Sequence, residues 1–303
     1  MTKTALILGA SGKIGTHAAR ALSAHGWTIR RYDRKSGDMT RAAQGCDLIV
    51  NGLNPPNYHN WAELIPAITA QVIAAAKASG ATVLIPGNVY HFGNTPGEWS
   101  EQTPPAPCSK KGRIRLEMER AYRDSGVQTI VLRAGDFIDP DHNGDIMSLM
   151  LLTRLKRGRI TAPGAIGAIH TYAYLPDWAE AAASLADKRT GLARFEDIPF
   201  PGHAFTLDTL KSEVEAITGR TLRFSRFPWA LIALTAPVWE LARELKEMRY
   251  LWDTPHTLSP RRLNALLPDF RPTPLREALT AALPADIHPD QTVTARRNGH
   301  LMA

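Results

Sequence analysis

The chain has 303 residues, 44% hydrophobic and 21% charged, enough for one large α/β domain with an appended lobe or for two modest domains. Its formal charge of +7, from 36 Lys and Arg against 29 Asp and Glu, is scattered rather than gathered into a basic run interleaved with aromatics, which suits an anionic small ligand better than nucleic acid. Cys46 and Cys108, with no CxxC or CxxxH spacing, indicate neither a disulfide framework nor a zinc motif and fit a reducing cytoplasm.

TALILG, from Thr4, predicts a first strand so early that a secretion signal has no room ahead of it. A helix over 13–25 follows, then the strand WTIRRYD and a segment over 36–45 too short for a complete strand and helix. The strand CDLIVNG, a helix over 61–79, the strand ATVLIPG, a helix over 110–125 and the strand QTIVLRAG complete the regular part. Strand–helix alternation with buried β-branched runs predicts an α/β chain with a Rossmann, doubly wound parallel sheet. The expected division is a dinucleotide-binding domain over 1–165, its sheet completed by part of 166–210, and a smaller, mostly helical lobe over 166–303. Helical sequence recurs around 149–156, in LDTLKSEVEAITG and in PLREALTAAL, and the tail after Leu283 is expected to pack poorly. PWALIALTAPVWELA, Pro228 to Ala242, is too short to span a bilayer and is broken by Pro237. It reads as a helix packed in the lobe or in a homodimer contact, with membrane association the lesser alternative.

Gly9-Ala-Ser11-Gly12-Lys13-Ile14-Gly15 follows the first strand and opens the first helix, the context of a dinucleotide-binding turn. Gly9 serves the tight turn, Gly12 a close approach to pyrophosphate, Gly15 helix–strand packing, and the helix N-terminus attracts the phosphates. Asp33, 18 positions after Gly15, is placed to accept from the ribose hydroxyls and favours NAD. Arg34 and Lys35 could clamp a 2′-phosphate and leave NADP open.

The GxxGxxG spacing resembles the short-chain dehydrogenase/reductase superfamily, and further segments resemble its extended or atypical branch, the NAD-dependent epimerase/dehydratase relatives. LIVNGLNPP, which contains Asn54, is similar to the segment lining the cofactor after the family's fourth strand. NVYHFG, LRAGDFIDP and IHTYAYLPDWAEA are similar to later segments, in the right order. The resemblance implies a serine or threonine on the fifth strand and a YxxxK pair on the next helix, in which the lysine holds the nicotinamide ribose and lowers the tyrosine's pKa for proton transfer. Here the strand gives Ile85-Pro-Gly-Asn88, and Ala106 and Pro107 stand four residues before Lys110 and Lys111. The candidates left for the chemistry are Lys111 on the ribose, Tyr90 as a displaced proton donor or a packed aromatic, and Asn88 as a hydrogen-bonding group.

DPDHNGD, Asp139 to Asp145, imitates a calcium loop but has Met150 where glutamate is needed, so it reads as a polar rim near the nicotinamide. The histidines show no paired ligand spacing, and no metal is expected. The expected function is an NAD(P)-dependent oxidoreductase or epimerase acting on a small hydroxyl or carbonyl substrate, with a nucleotide sugar as one candidate. The alternative is a catalytically silent NAD(P)-binding regulatory protein whose partner surface is the 228–242 segment.

Overall fold

The computed structural model describes residues 3–33, 35, 37–284 and 287. Its strands in chain order are β1 (Thr4–Leu8), β2 (Thr28–Arg31), β3 (Leu48–Asn51), β4 (Thr82–Gly87), β5 (Gly97–Trp99), β6 (Thr129–Arg133), β7 (Asp136–Ile138), β8 (Arg159–Ala162), β9 (His170–Tyr174), β10 (Phe195–Pro199), β11 (His203–Phe205), β12 (Arg223–Arg226) and β13 (His256–Leu258). The α-helices are α1 (Lys13–Ala24), α2 (Met39–Ala43), α3 (Trp61–Ser79), α4 (Lys110–Asp124), α5 (Leu175–Asp187), α6 (Leu207–Thr218), α7 (Trp229–Thr235), α8 (Glu240–Met248), α9 (Arg261–Leu266) and α10 (Leu275–Ala282).

The alternating buried residues of the first half make a two-faced parallel sheet of order β10-β6-β4-β3-β1-β2. Ala5, Ile7, Leu48, Val50, Leu84, Ile130 and Leu132 face the layer of α1 and α5, whereas Leu6, Leu8, Ile49, Val83, Ile85 and Val131 face α2, α3 and α4. Period-2 alternation with apolar residues on both faces is what a sheet covered on both sides requires. The shortened third unit is α2, whose five residues lead straight to β3 after an N-cap by Asp38. The chain crosses from β2 to β3 on opposite sides of β1, so the strand order reverses there. A crevice at such a switch point is where open α/β sheets bind ligands.

A separate buried cluster includes Met147, Leu151, Ile160, Leu210 and Val214, so residues on both sides of the expected boundary at 165 share one core. Two strands tie its parts together, β8 pairing in parallel with β12, and β10 returns to the main sheet beside β6. The 228–242 segment is divided into α7 and the start of α8, with Pro237 between them. The tail beyond Leu283 falls almost entirely outside the described residues.

Arg133, at the end of β6 and fully buried, clamps the sheet's carboxyl edge. Its guanidinium bonds Glu119 of α4 at 2.7 Å and Asp197 of β10 at 2.7 Å, and it also reaches the Asn88 carbonyl and His91 Nδ1. Burial opposes the charge, but Glu119 and Asp197 outweigh it and hold the guanidinium's pKa above its ordinary value.

Candidate active site

Each glycine of the loop meets a different neighbour. Gly9 has φ +71, and a Cβ there would lie 2.9 Å from the Gly52 carbonyl oxygen at the end of β3. A Cβ on Gly15 would lie 2.3 Å from the Gly9 oxygen, so these two positions are demanded by turn and packing. Gly12 differs: its φ of −82 and ψ of 164 are open to any residue, and a Cβ would meet only the Gly9 oxygen, at 3.4 Å. Nothing in the fold itself asks for glycine there. Above it the first amides of α1, from Lys13, Ile14 and Gly15, have no partner within the helix and no side-chain cap. An unfilled helix N-terminus beside a space kept clear of Cβ suits a pyrophosphate.

Ser11 is exposed, and its carbonyl accepts from Asn143 Nδ2 at 3.1 Å. Lys13 Nζ donates to the Gly144 carbonyl; burial lowers its pKa against the opposing pull of Asp145, Asp139 and Asp136. The 139–145 rim therefore lies on the glycine loop itself. It is pinned there by His17 Nε2, 2.9 Å from Asp139 Oδ1, and by an Arg20–Asp141 ion pair. His17, Asp139 and Asp141 come within 4.8 Å of one another, a cluster that sequence spacing hides. Burial pushes the Asp139 carboxyl up, but hydrogen bonds from His17 and the Asp141 and Asn143 amides prevail and hold it below the usual range.

Asp33 is exposed just past β2, where its carboxylate accepts the Lys35 amide at 2.9 Å. Arg34 lies outside the described residues. Asn54 is exposed, and its Oδ1 accepts from Arg115 of α4 at 2.9 Å. Asn88 spends its side chain on the turn after β4, Oδ1 accepting the Tyr90 amide at 3.1 Å.

Lys111 sits in the first turn of α4, so residues 106 and 107 precede the helix. Lys111 is 1% exposed. Its Nζ pairs with Glu244 and, at 2.9 Å, with Glu247, both from α8, and Glu247 also accepts the Lys111 amide at 3.0 Å. A Cβ on Gly112 would lie 2.5 Å from the Tyr90 carbonyl oxygen, which shows how closely the start of α4 is pressed to the turn after β4.

Tyr58 was not among the candidates read from the sequence. Its hydroxyl is 3.2 Å from that of Tyr90, and the Lys111 ammonium lies 5.2 Å from its ring centroid. Asn57, Tyr58 and Asn60 have φ values of 54, 60 and 44, and a bulky residue in the left-handed region is an outlier that concentrates at functional sites. The tolerant asparagines of NPPNYHN are the only sequence trace of it. Burial raises the pKa of both phenols: Tyr90's hydroxyl counters the rise at Tyr58, and Tyr58's charge adds to it at Tyr90. Both are therefore proton carriers at neutral pH.

Asp136 was also missed. Tyr90 and Asp136 each follow the paired ends of neighbouring strands, Gly87 of β4 and Arg133 of β6, and a Cβ on Gly135 would strike the Thr171 carbonyl at 2.0 Å, fixing the bend between them. Burial pushes the Asp136 carboxyl up to about 6, with Lys13 opposing and Asp145 adding. Its charge is felt by Tyr58, Tyr90 and Tyr172. Phenol hydroxyls, a carboxyl that titrates near neutrality and the glycine loop thus gather at the sheet's carboxyl edge.

No sequence-family profile matches the chain, and no curated protein matches it in sequence. Solved structures do match. MoeE5 in complex with UDP-glucose and NAD superposes with a TM-score of 0.70 at 17% identity, covering 92% of this chain and 97% of that one. The chain shares the fold of that protein over nearly its whole length. UDP-glucuronic acid 4-epimerase from Bacillus cereus in complex with NAD gives a TM-score of 0.68 at 17% identity over 92% of this chain and 96% of that one. Triphenylmethane reductase from Citrobacter sp. gives 0.66 at 16% over 92% and 99%. At these identities the likeness extends to the fold.

Proposed function

We propose that the chain is an NAD-dependent oxidoreductase of the epimerase/reductase type, acting on a hydroxyl or carbonyl of a small anionic substrate such as a nucleotide sugar. The observation that carries this reading is the Tyr58–Tyr90 hydroxyl pair, 3.2 Å apart beside Lys111, at the same sheet edge as the glycine loop. The amides of α1 and the clear space at Gly12 would hold the pyrophosphate, and Asp33 would accept from the ribose, favouring NAD over NADP. Bound nicotinamide supplies the hydride chemistry. Tyr90, relayed by Tyr58, would deliver a proton to the substrate oxygen, since burial keeps both phenols protonated. Protonated phenols suit reduction of a carbonyl better than oxidation of an alcohol. The basic balance of the chain suits the substrate's anionic handle. The test is a screen of UDP-sugars and their keto derivatives for absorbance loss of reduced cofactor. Tyr90→Phe is expected to lower turnover about 100-fold, the scale of general acid catalysis, with cofactor affinity unchanged.

A second reading, a dinucleotide-binding regulatory protein, draws on the burial of Lys111 between Glu244 and Glu247, which ties the ammonium to α8. Under it, NAD would alter the surface around α7 and α8 without hydride transfer. Saturable NAD binding together with a changed proteolysis pattern there and no turnover across the screen would favour it.

A further inference from the structure

Away from this site, α7 and the turn after it hold an apolar face that the fold leaves uncovered. Leu231 is 57% exposed, Leu234 77%, Val238 90% and Trp239 47%, on a stretch from Phe227 to Trp239 that carries no charge. Large apolar side chains gathered at this exposure mark an interaction surface. Arginines bracket both ends. At one end the Arg249 guanidinium stands 5.2 Å from the Trp229 ring, and Arg226 and Arg249 line a cleft of about 560 Å³ with Phe224, Phe227, Trp229 and Asp253, whose carboxylate accepts the Ala165 amide. At the other, Arg243 donates to the carbonyls of Ala236 and Pro237. Among the described residues Arg226 and Arg249 form no ion pair, and Arg243 lies near enough to Glu240 for its charge to lower that carboxyl's pKa. The carboxylates of α8 are engaged elsewhere: Glu240 by His59, and Glu244 and Glu247 by Lys111. The face therefore presents apolar side chains between two tryptophans with three arginines at its ends, against which stand only Glu240, held by His59, and Asp253, held by the Ala165 amide, so positive charge is in excess.

We propose that this face docks on an anionic phospholipid bilayer, Leu231, Leu234, Val238 and Trp239 entering the headgroup boundary while Arg226, Arg243 and Arg249 meet lipid phosphates. A short apolar ridge flanked by indoles and arginines matches the layering of a membrane interface, where aromatic rings sit at headgroup depth and basic side chains reach outward. A second copy of the chain would bring the same arginines into opposition, because a twofold contact pairs a patch with itself. No helix of the described residues is long and apolar enough to cross a membrane, so the association is peripheral.

The test is co-sedimentation of the full chain with vesicles of phosphatidylcholine, with or without phosphatidylglycerol. Binding is expected with the anionic vesicles alone, weakening as salt rises. The double variant Leu234→Glu/Val238→Glu should bind about tenfold or more weakly, as should Arg226→Glu/Arg249→Glu. Unchanged melting temperatures of both variants serve as fold controls. Brominated lipid should quench tryptophan fluorescence, and quenching should fall in Trp239→Ala. Soluble glycerol phosphate should not displace the protein from vesicles; displacement would assign the cleft to a free phosphate and overturn the proposal. So would failure of the wild type to bind anionic vesicles, undiminished binding by both variants, or a wild-type dimer in light scattering that the Glu variant dissociates while vesicles bind neither.

Discussion

Gly12→Val separates what the fold needs from what the ligand needs. Residue 12 has extended backbone, which a β-branched residue accepts, and its Cβ would touch only the Gly9 oxygen at 3.4 Å. The change of cap should therefore alter stability by about 1 kcal/mol or less. The same isopropyl group fills the space above the α1 amides. Loss of one or two charge-assisted hydrogen bonds, each about 1.5–3 kcal/mol, weakens NAD by roughly tenfold to more than ten-thousandfold. Gly15→Val supplies the contrast, because its Cβ would stand 2.3 Å from a backbone oxygen and should destabilise by about 3 kcal/mol or more. Calorimetric titration with NAD and thermal melting of both variants measure the two effects. A Gly12→Val protein that melts normally and binds NAD as the wild type does would refute the assignment of the loop.

Lys111→Met leaves Glu244 and Glu247 facing each other at a partly buried site and should cost about 1–3 kcal/mol in denaturant unfolding, whereas Lys111→Met/Glu244→Gln/Glu247→Gln should recover most of it. Arg133→Met strands Glu119 and Asp197 and should cost about 3–5 kcal/mol, with Arg133→Lys recovering only part because the fork geometry is lost. Burial lowers His91 to about 3 and, with His256, His170 to about 4. The unfolded chain then binds these protons more readily, so stability present above pH ~6.5 is lost as pH falls toward the folded values, by roughly 3–5 kcal/mol per histidine. Melting temperature should fall over that window, and a smaller fall in His170→Gln than in the wild type would verify it. Asp136 carries the opposite sign: its raised pKa of about 6 favours the fold below pH ~4 and loses that contribution as pH rises through about 6, so Asp136→Asn should be relatively more stable at pH 8 than at pH 4.

The sheet was legible because its signals are local. Buried alternation in TALILG and LIVN, the glycine loop and the apolar periodicity over 61–79 each act within a few residues, and β1, β3 and α3 occupy those places. β10, far along the chain, pairs beside β6 in the same sheet. The site was less legible because its geometry is made by contacts distant in sequence. Lys111 was read as a candidate ribose ligand, and its pairing with two carboxylates of α8, more than 130 residues later, carries no local sequence signal. Tyr58 reaches Tyr90 across 32 residues through a left-handed turn, which no propensity scale favours. Asp136 is indistinguishable in sequence from a surface aspartate until β9 packs beside it. The segment over 228–242 reads as one helix by composition, yet Pro237, which cannot continue the hydrogen-bond ladder, splits it and leaves its apolar side chains outward.

The central claim, hydride transfer at the edge where Tyr58 and Tyr90 meet, is tested most directly with reduced cofactor carrying deuterium at nicotinamide C4. The protein is incubated with it and a panel of keto nucleotide sugars, and the products are weighed by mass spectrometry. Wild type is predicted to form an alcohol one deuteron heavier, and Tyr90→Phe is predicted to form it about 100-fold more slowly while binding cofactor normally. Saturable binding of the cofactor with no deuterium in any product would contradict the account and leave the regulatory reading in its place.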